Sequence, residues 1–375
     1  MEPRTVGVEE ELLLVDPETR EPAPRAEQVL AHGSDELDRE LFRHQVEVQT
    51  PPVTDLGELR EHLVRARRLA GEAAERAGLR TAATGTSPLR GGEPEVTRDD
   101  RYLDMRERYG EVARPEGTCG MHVHVAIDSP EQGVAVLDQL VPWLPALLAV
   151  STNSPYHSGR DTRHASWRSQ LWSHWPSAGP TERFGTVERY REVSRVLVAS
   201  GAARDDAMLY FDARLSADHP TVEVRVADVC TDPDDAVLLA ALVRALVTHV
   251  AAWHDAGAEG GLPGWPADDL WRVELVRAAQ WRAARYGLAD RLLDPCSAEP
   301  VPAGEVLGTL VATVREELEA AGDLGLVRDG VERVLAAGGA PRQRAAYERN
   351  GGELAAVVDD LVDRTNACWR EGPEE

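Results

Sequence analysis

The stretch that decides the reading is "CGMHVHVAID", Cys119–Asp128, where two imidazoles sit two residues apart in an otherwise apolar run. In an extended strand successive side chains point to opposite faces. Met121, Val123, Val125 and Ile127 then share one face, and His122 and His124 share the other with Gly120 and Ala126. A lone histidine in a strand is usually a hydrogen-bonded core residue. Two on one face raise the question of a metal or an anion, and the answer depends on what faces them.

Three further segments carry the same two-faced design. In "TVGVEEELLLVD" (Thr5–Asp16), Glu9 and Glu11 share a face opposite Val8, Glu10 and Leu12. In "HQVEVQTPP" (His44–Pro52), Val46 and Val48 oppose Gln45, Glu47 and Gln49, and Glu40 lies seven residues before Glu47. In "PTVEVRVADV", Val222, Val224 and Val226 alternate with Thr221, Glu223 and Arg225. If these strands share a sheet, their apolar faces want a helical layer and their loaded faces line one cavity. Carboxylates gathered there repel one another and need cations. Hard oxygen donors with one or two imidazoles favour Mg²⁺, with Mn²⁺ as the second choice, over calcium.

Between the strands, Asp55 and Glu58 have capping-box spacing and open a helix to about Ala77. "LRTAATG" reads as another strand, Gln132–Ser151 as a helix and Val187–Ser200 as a second. "MLYFDARLS" reads as a strand paired with "PTVEVRVADV". The segment Asn153–Gly185 has little periodicity and holds Arg160, Arg163 and Arg168 among tryptophans and small polar residues. Long irregular segments in compact proteins often form lids or binding loops, and arginine forks grip phosphate or carboxylate. From Asp234 onward the pattern is mainly helical. The reading is an α+β chain forming a single catalytic domain, residues 1–375, with a strand-rich core at about 5–230 and a helical part at about 234–370.

Composition narrows the chemistry. The 375 residues carry a net charge of −24, which argues against nucleic-acid or anionic-membrane binding. No uninterrupted apolar run approaches the length needed to span a bilayer, and the acidic N-terminus lacks the layout of a secretion signal. The four cysteines are far apart with no C-x-x-C, so a reducing cytoplasm is the expected location. All 41 basic residues are arginine. Without lysine, Schiff-base chemistry, a P-loop lysine and the kinase strand lysine are all excluded. Metal ions on an acidic face, with arginines, are what a polyphosphate nucleotide then requires.

The ordered set "VGVEEELLLVD", "ELFRHQVEVQTP", "CGMHVHV", "NSPY…SWRSQLW" and "HPTVEVRVADV" closely resembles the carboxylate–amine ligase family, also called glutamate–cysteine ligase type 2, within the glutamine-synthetase-like ligases. The resemblance runs from about Thr5 to "RQRAAYERNGG". It implies an antiparallel sheet forming a funnel with helices on its outer face, and two or three Mg²⁺ ions between ATP and an amino-acid substrate. It implies metal ligation by Glu9, Glu11, Glu40, Glu47, His122 and Glu223. Arg225 resembles the arginine that neutralises the transferred phosphoryl group, and Glu47 and Arg214 are further catalytic candidates. The candidate nucleotide contacts are His122, His124, Arg163, Arg168 and Asn153, the last opening the irregular segment. The implied reaction phosphorylates the γ-carboxylate of glutamate, and the amine of a second substrate, cysteine or another small amino acid or amine, attacks the acyl phosphate. Two other readings stand beside it: a metal-dependent amidohydrolase, which would want more paired histidines and a bridging lysine, and a non-catalytic nucleotide or metal sensor. Edge strands and an acidic surface permit a homodimer.

Overall fold

Alternating valines and leucines in the N-terminal half produce strands, and the sheet they build has one face for helices and one for charge. The computed structural model describes residues 3–34, 36–92, 95–113, 117–257, 262, 265 and 270–370. Its strands are β1 (Val6–Val15), β2 (Leu37–Arg39), β3 (Gln45–Gln49), β4 (Arg80–Ala82), β5 (Gly120–Ala126), β6 (Tyr156–His157), β7 (Arg160–Asp161), β8 (Ala213–Leu215), β9 (Thr221–Asp228), β10 (Arg291–Leu293) and β11 (Pro300–Pro302). The main sheet runs β2-β3-β1-β5-β9-β8, with β4 also on β1, and each pairing is antiparallel.

The helices are α1 (Ala26–Leu30), α2 (Leu56–Arg76), α3 (Asp100–Tyr109), α4 (Pro130–Leu140), α5 (Leu144–Ser151), α6 (Arg168–Trp172), α7 (Val187–Ser200), α8 (Pro233–Asp255), α9 (Val273–Tyr286), α10 (Ala303–Thr313), α11 (Arg315–Ala321), α12 (Leu324–Ala337), α13 (Gly339–Arg349) and α14 (Leu354–Arg370). Asp55 caps α2 as its spacing predicts, accepting from the Glu58 amide at 2.8 Å. Helices α2 and α8 pack on β1, α8 also on β5, and α4 and α5 on β9. Val8, Leu12, Val46, Val48, Met121, Val123, Val125, Val222 and Val224 thereby join one core, each at most 2% exposed.

The structure corrects three expectations. The helix expected over Gln132–Ser151 is two, bent by 73° between α4 and α5. Pro142 and Pro145 explain the break, since proline lacks the amide that a helix interior needs. Only Ala213–Leu215 of "MLYFDARLS" is strand. Finally, α8 is 23 residues long and apolar enough to cross a bilayer, contrary to the reading of the apolar runs. Its middle is enclosed by α2, α4, α5, α12 and the sheet, so its composition matches a core helix.

Glu10, on the apolar side of β1, is fully buried and is met by an equally buried Arg67 from α2. Arg67 donates to both Glu10 oxygens, at 2.8 and 2.6 Å, and to the carbonyls of Cys230 and Thr231 at 2.7 and 2.6 Å. One side chain therefore ties α2, β1 and the entrance to α8. Arg67→Ala is expected to cost about 3–5 kcal/mol by leaving Glu10 charged and unpaired in the core. Arg67→Met with Glu10→Gln should recover much of this in denaturant unfolding. Equal losses in both variants would show that the pairing is not what α2 depends on.

Candidate active site

The registers place the loaded residues side by side. Across β1–β3, Glu11 faces Glu47; across β1–β5, Glu9 faces His122. Across β5–β9, His124 faces Glu223, and across β8–β9, Glu223 faces Arg214. The β5–β9 register shifts between Met121 and Val123. Met121 pairs with Ala227 but Val123 pairs with Val224, so β9 carries one extra residue opposite His122. This bulge puts both Glu223 and Asp228 on the loaded face, which strict alternation along β9 forbids.

His122 lies at the centre. Its Nδ1 is 2.8 Å from Glu9 Oε2 and 3.8 Å from Glu223 Oε1, and its Nε2 is 3.9 Å from Glu11 Oε1. Burial, reinforced by the positive charge of Arg225, holds its pKa below the usual imidazole value. A neutral ring donating Nδ1–H to Glu9 leaves Nε2 with a lone pair, and Nε2 is buried without a hydrogen-bond partner. His124 Nε2 is 3.1 Å from Glu9 Oε1, and its Nδ1 is 3.1 Å from Thr221 Oγ1.

The carboxylates divide by what touches them. Burial opposes charge on Glu9, but hydrogen bonds from His122 and His124 outweigh it and hold the group well below the carboxylate range. Glu223 is also depressed: burial is outweighed by Arg225 and Arg214. Arg214 Nε reaches Glu223 Oε2 at 2.7 Å, and Arg225 Nη1 bonds Glu223 Oε1. Glu11 accepts the Gly120 amide at 2.6 Å. For Glu47 and Glu40 such help is too small: the charge of Arg225 on both and the Leu41 amide on Glu40 do not offset burial. Burial, then the charge of Glu40, raises Glu47 well above its ordinary value; burial, then the charge of Glu11, pushes Glu40 up to about 7.

This donor set fits divalent cations. Ligand atoms of Glu9, Glu47 and His122, and of Glu9, His124 and Glu223, each lie within 4.8 Å of one another. The partnerless Nε2 of His122 and the two carboxylates raised by burial and by neighbouring carboxylates are what a hard cation would satisfy. Glu11 and Glu40 lie just outside these groups and line a small cavity with Gln45, Trp172 and Trp175.

The arginines are less uniform. Arg225 is 7% exposed, its guanidinium 5.8 Å from the centre of the Tyr210 ring and its Nε without a partner. Arg214 spends its Nη1 on the carbonyls of Ala207 and Leu209, at 2.7 and 3.1 Å, so much of it braces the loop before β8. Arg168, 2% exposed, lies over Gly120; a Cβ there would stand 2.2 Å from its Nη2, so only glycine leaves this space.

Two candidates sit elsewhere. Asn153 is 1% exposed, and its amide donates to the carbonyls of Ala83 and Val229 and to Thr231 Oγ1. With Gln343 donating to its oxygen at 2.8 Å, it is a structural bracket with no donor left for a nucleotide. Arg163 is exposed just beyond the β6–β7 hairpin, 3.7 Å from Asp161. Polar loop composition cannot distinguish these places from a binding surface. Asp212, 8% exposed, alternates with Arg214 about Ala213, a signal that both share a face.

The raised carboxylates have a consequence for stability. Above the ordinary carboxylate range the folded chain binds more protons at Glu40 and Glu47 than the unfolded chain does. Stability then falls as pH rises from about 4.5 through the raised values. Without divalent cations, the melting temperature should therefore drop between pH 5 and 8, and Glu47→Gln should raise it at pH 8. Millimolar Mg²⁺ should flatten the slope. A cation-free melting temperature that does not fall over this interval would refute the crowding.

A family model described as glutamate-cysteine ligase family 2 matches residues 5–360. A Nocardioides sp. protein named "Putative glutamate--cysteine ligase 2-1" is 53% identical, covering 98% of this chain and 97% of its own length. A Streptomyces coelicolor protein named "Putative glutamate--cysteine ligase 2" is 46% identical, covering 97% of this chain and 100% of its own length. Among solved structures, the glutamate–cysteine ligase of Francisella tularensis in complex with AMP aligns with a TM-score of 0.63 at 12% identity, over 99% of this chain and 94% of that one. A bifunctional glutathione synthetase from Pasteurella multocida aligns with a TM-score of 0.64 at 16% identity; this chain spans 52% of its length. These two likenesses establish the fold. With the family model across most of its length and relatives near half identical end to end, the chain belongs to glutamate–cysteine ligase family 2.

Proposed function

We propose that the protein is an ATP-dependent ligase that joins the γ-carboxylate of L-glutamate to the amine of an amino acid through a γ-glutamyl phosphate, releasing ADP and phosphate. The observation that carries this reading is the single sheet face on which Glu9, Glu11, Glu47, His122, His124, Glu223 and Arg225 converge. In the reaction a γ-carboxylate oxygen attacks the terminal phosphorus of ATP and ADP leaves. The amine nitrogen then attacks the acyl carbon, the C–O bond to phosphate breaks and a proton leaves the nitrogen. Phosphoryl transfer of this kind asks for position and charge neutralisation more than covalent help.

The residues divide the work. Glu9, Glu11, Glu40, Glu47, His122 and Glu223 would hold Mg²⁺ or Mn²⁺, which supplies shielding of phosphate charge. Arg225, buried beside Glu223 with its Nε free, supplies a fixed positive charge for the transferred phosphoryl group. Arg214 holds Glu223 in place, and Arg168 offers a buried guanidinium for a substrate carboxylate. The strands up to about residue 230 carry the site and the helices beyond buttress it, as one catalytic unit. The four cysteines are thiols, in keeping with a reducing cytoplasm.

ATP, Mg²⁺, glutamate and hydroxylamine should yield γ-glutamyl hydroxamate with ADP and phosphate. Aspartate, one methylene shorter, should react poorly because its carboxylate misses the in-line position. AMP and pyrophosphate as products would rule out the acyl phosphate. His122→Ala and Glu47→Gln should each reduce turnover by roughly 100-fold or more while remaining folded. Cys119→Ser should keep its activity, because burial raises that thiol far from the reactive thiolate form. Loss of turnover in this variant with unchanged metal binding would contradict that.

A further inference from the structure

A cavity of about 490 Å³ lies where α6 and the segment after it lean over β9 and α9. Arg168, Trp172, Trp175, Asp212, Gln280 and Trp281 are among the residues that line it. Asp212 is 8% exposed and accepts from Gln280 Nε2 at 2.6 Å. Its backbone carbonyl accepts the Arg225 amide at 2.8 Å, so Asp212 stands directly across from Arg225 and shares the loaded face. Arg168 is 2% exposed, its Nε has no partner and its guanidinium lies 5.4 Å from the centre of the Trp172 ring. Trp172 and Trp175 also line the small cavity holding Glu11 and Glu40, so the two spaces share a wall.

The lining is that of a zwitterion's pocket. A buried carboxylate and a buried guanidinium with an unused donor sit on one space, and indoles supply flat apolar walls. A carboxylate this enclosed repels a triphosphate but attracts an ammonium. The volume falls in the range of drug-sized ligand sites, well beyond what a side chain as small as cysteine's fills.

Building on the ligase reading above, we infer that this cavity is the acceptor subsite and that it takes an α-amino acid with a flat aromatic side chain. The ammonium rests on Asp212, which Gln280 orients, the carboxylate on Arg168 and the ring against Trp172 and Trp281. The amine then lies at the strand next to that of Arg225, from which a single backbone hydrogen bond separates Asp212. Burial lifts Asp212 to about 6, so it is mostly charged at neutral pH and able to hold the ammonium.

The test has a binding arm and a turnover arm, both on the full chain. Tryptophan emission is followed while L-phenylalanine, phenethylamine or L-cysteine is added. Phenylalanine should give a saturable change, weakened roughly tenfold or more in Asp212→Asn, the scale of a lost charge-assisted hydrogen bond. Trp281→Ala, at a residue 47% exposed and so safe for folding, should weaken it too. Phenethylamine should bind less tightly because it leaves Arg168 unmet. In glutamate-dependent ADP release, phenylalanine should show a lower KM than cysteine, and Asp212→Asn should raise the KM for phenylalanine far more than that for ATP. Competition between ATP and phenylalanine for the emission change would assign the cavity to the nucleotide and overturn the inference. So would a preference for cysteine in both arms. Hydroxamate formation without binding or turnover of any aromatic amino acid would defeat this inference and leave the ligase standing. Phenylalanine binding that needs Asp212, with no glutamate-dependent ADP release for any nucleophile, would support the subsite and remove glutamate as the donor.

Discussion

Carboxylate crowding on one sheet face is the constraint on which the rest of the architecture depends. Glu9, Glu11, Glu40, Glu47 and Glu223 meet there, while among the described residues the fixed cations that touch them are Arg225 and Arg214, both on Glu223. The histidines relieve Glu9 by hydrogen bonds and Glu223 more weakly through their charge. Glu47 and Glu40 answer burial first, and then the charge of their neighbours, Glu40 for the one and Glu11 for the other, by holding protons. A face in this state destabilises the fold that carries it, and a bound cation reverses the sign. The helical layer on the other face is therefore more than packing. The apolar sides of β1, β3, β5 and β9, closed by α2, α4, α5 and α8, hold the strands in a register that repulsion opposes.

The run of three glutamates in β1 shows how placement alone separates roles. Glu9 and Glu11 look into the site; Glu10, one step out of phase, looks into the core and is neutralised by Arg67. A one-residue slip of β1 would bury the site pair without partners and expose the core glutamate. The Arg67–Glu10 pair thus acts as a registration pin as well as a fastening. On the other side of the sheet the bulge in β9 does related work. It lets one strand present Glu223 to His124 and Asp228 to the hydroxyls of Ser154 and Ser166, at 2.7 and 2.8 Å.

What was legible in the sequence was whatever follows from side-chain period. Alternation in Thr5–Asp16, His44–Pro52, Gly120–Ala126 and Thr221–Asp228 yields the strands, their two faces and the residues that share a site. Period says nothing of an extra residue, so the bulge at His122 was invisible, and with it the place of Asp228. Nor does it distinguish inside from outside in an irregular segment: Asn153 and Arg163 have much the same setting as Arg168, but one is enclosed by backbone carbonyls and one faces solvent. Arg67 lies on the buried stripe of α2, where an arginine reads as a breach of amphipathicity until its partner two strands away in the chain is known. Long-range pairs of this kind have no local signature.

Sheet and loops also differ in how freely they can change. A substitution that alters strand register moves every loaded side chain to the wrong face, so the groups proposed to handle phosphate and metal are tied to the fold itself. Trp172, Trp281 and Gln280 stand on α6 and α9, elements that flank the sheet without belonging to it. Their side chains can be exchanged without disturbing the pairing of Glu9 with His122 or of Glu223 with His124. Asp212 lies at the join, held by one backbone hydrogen bond to β9 while its side chain takes its orientation from α9. On the proposed reading, a fold arranged in this way can keep one activation chemistry and vary the amine it accepts, because the two would be carried by elements with different tolerance to change.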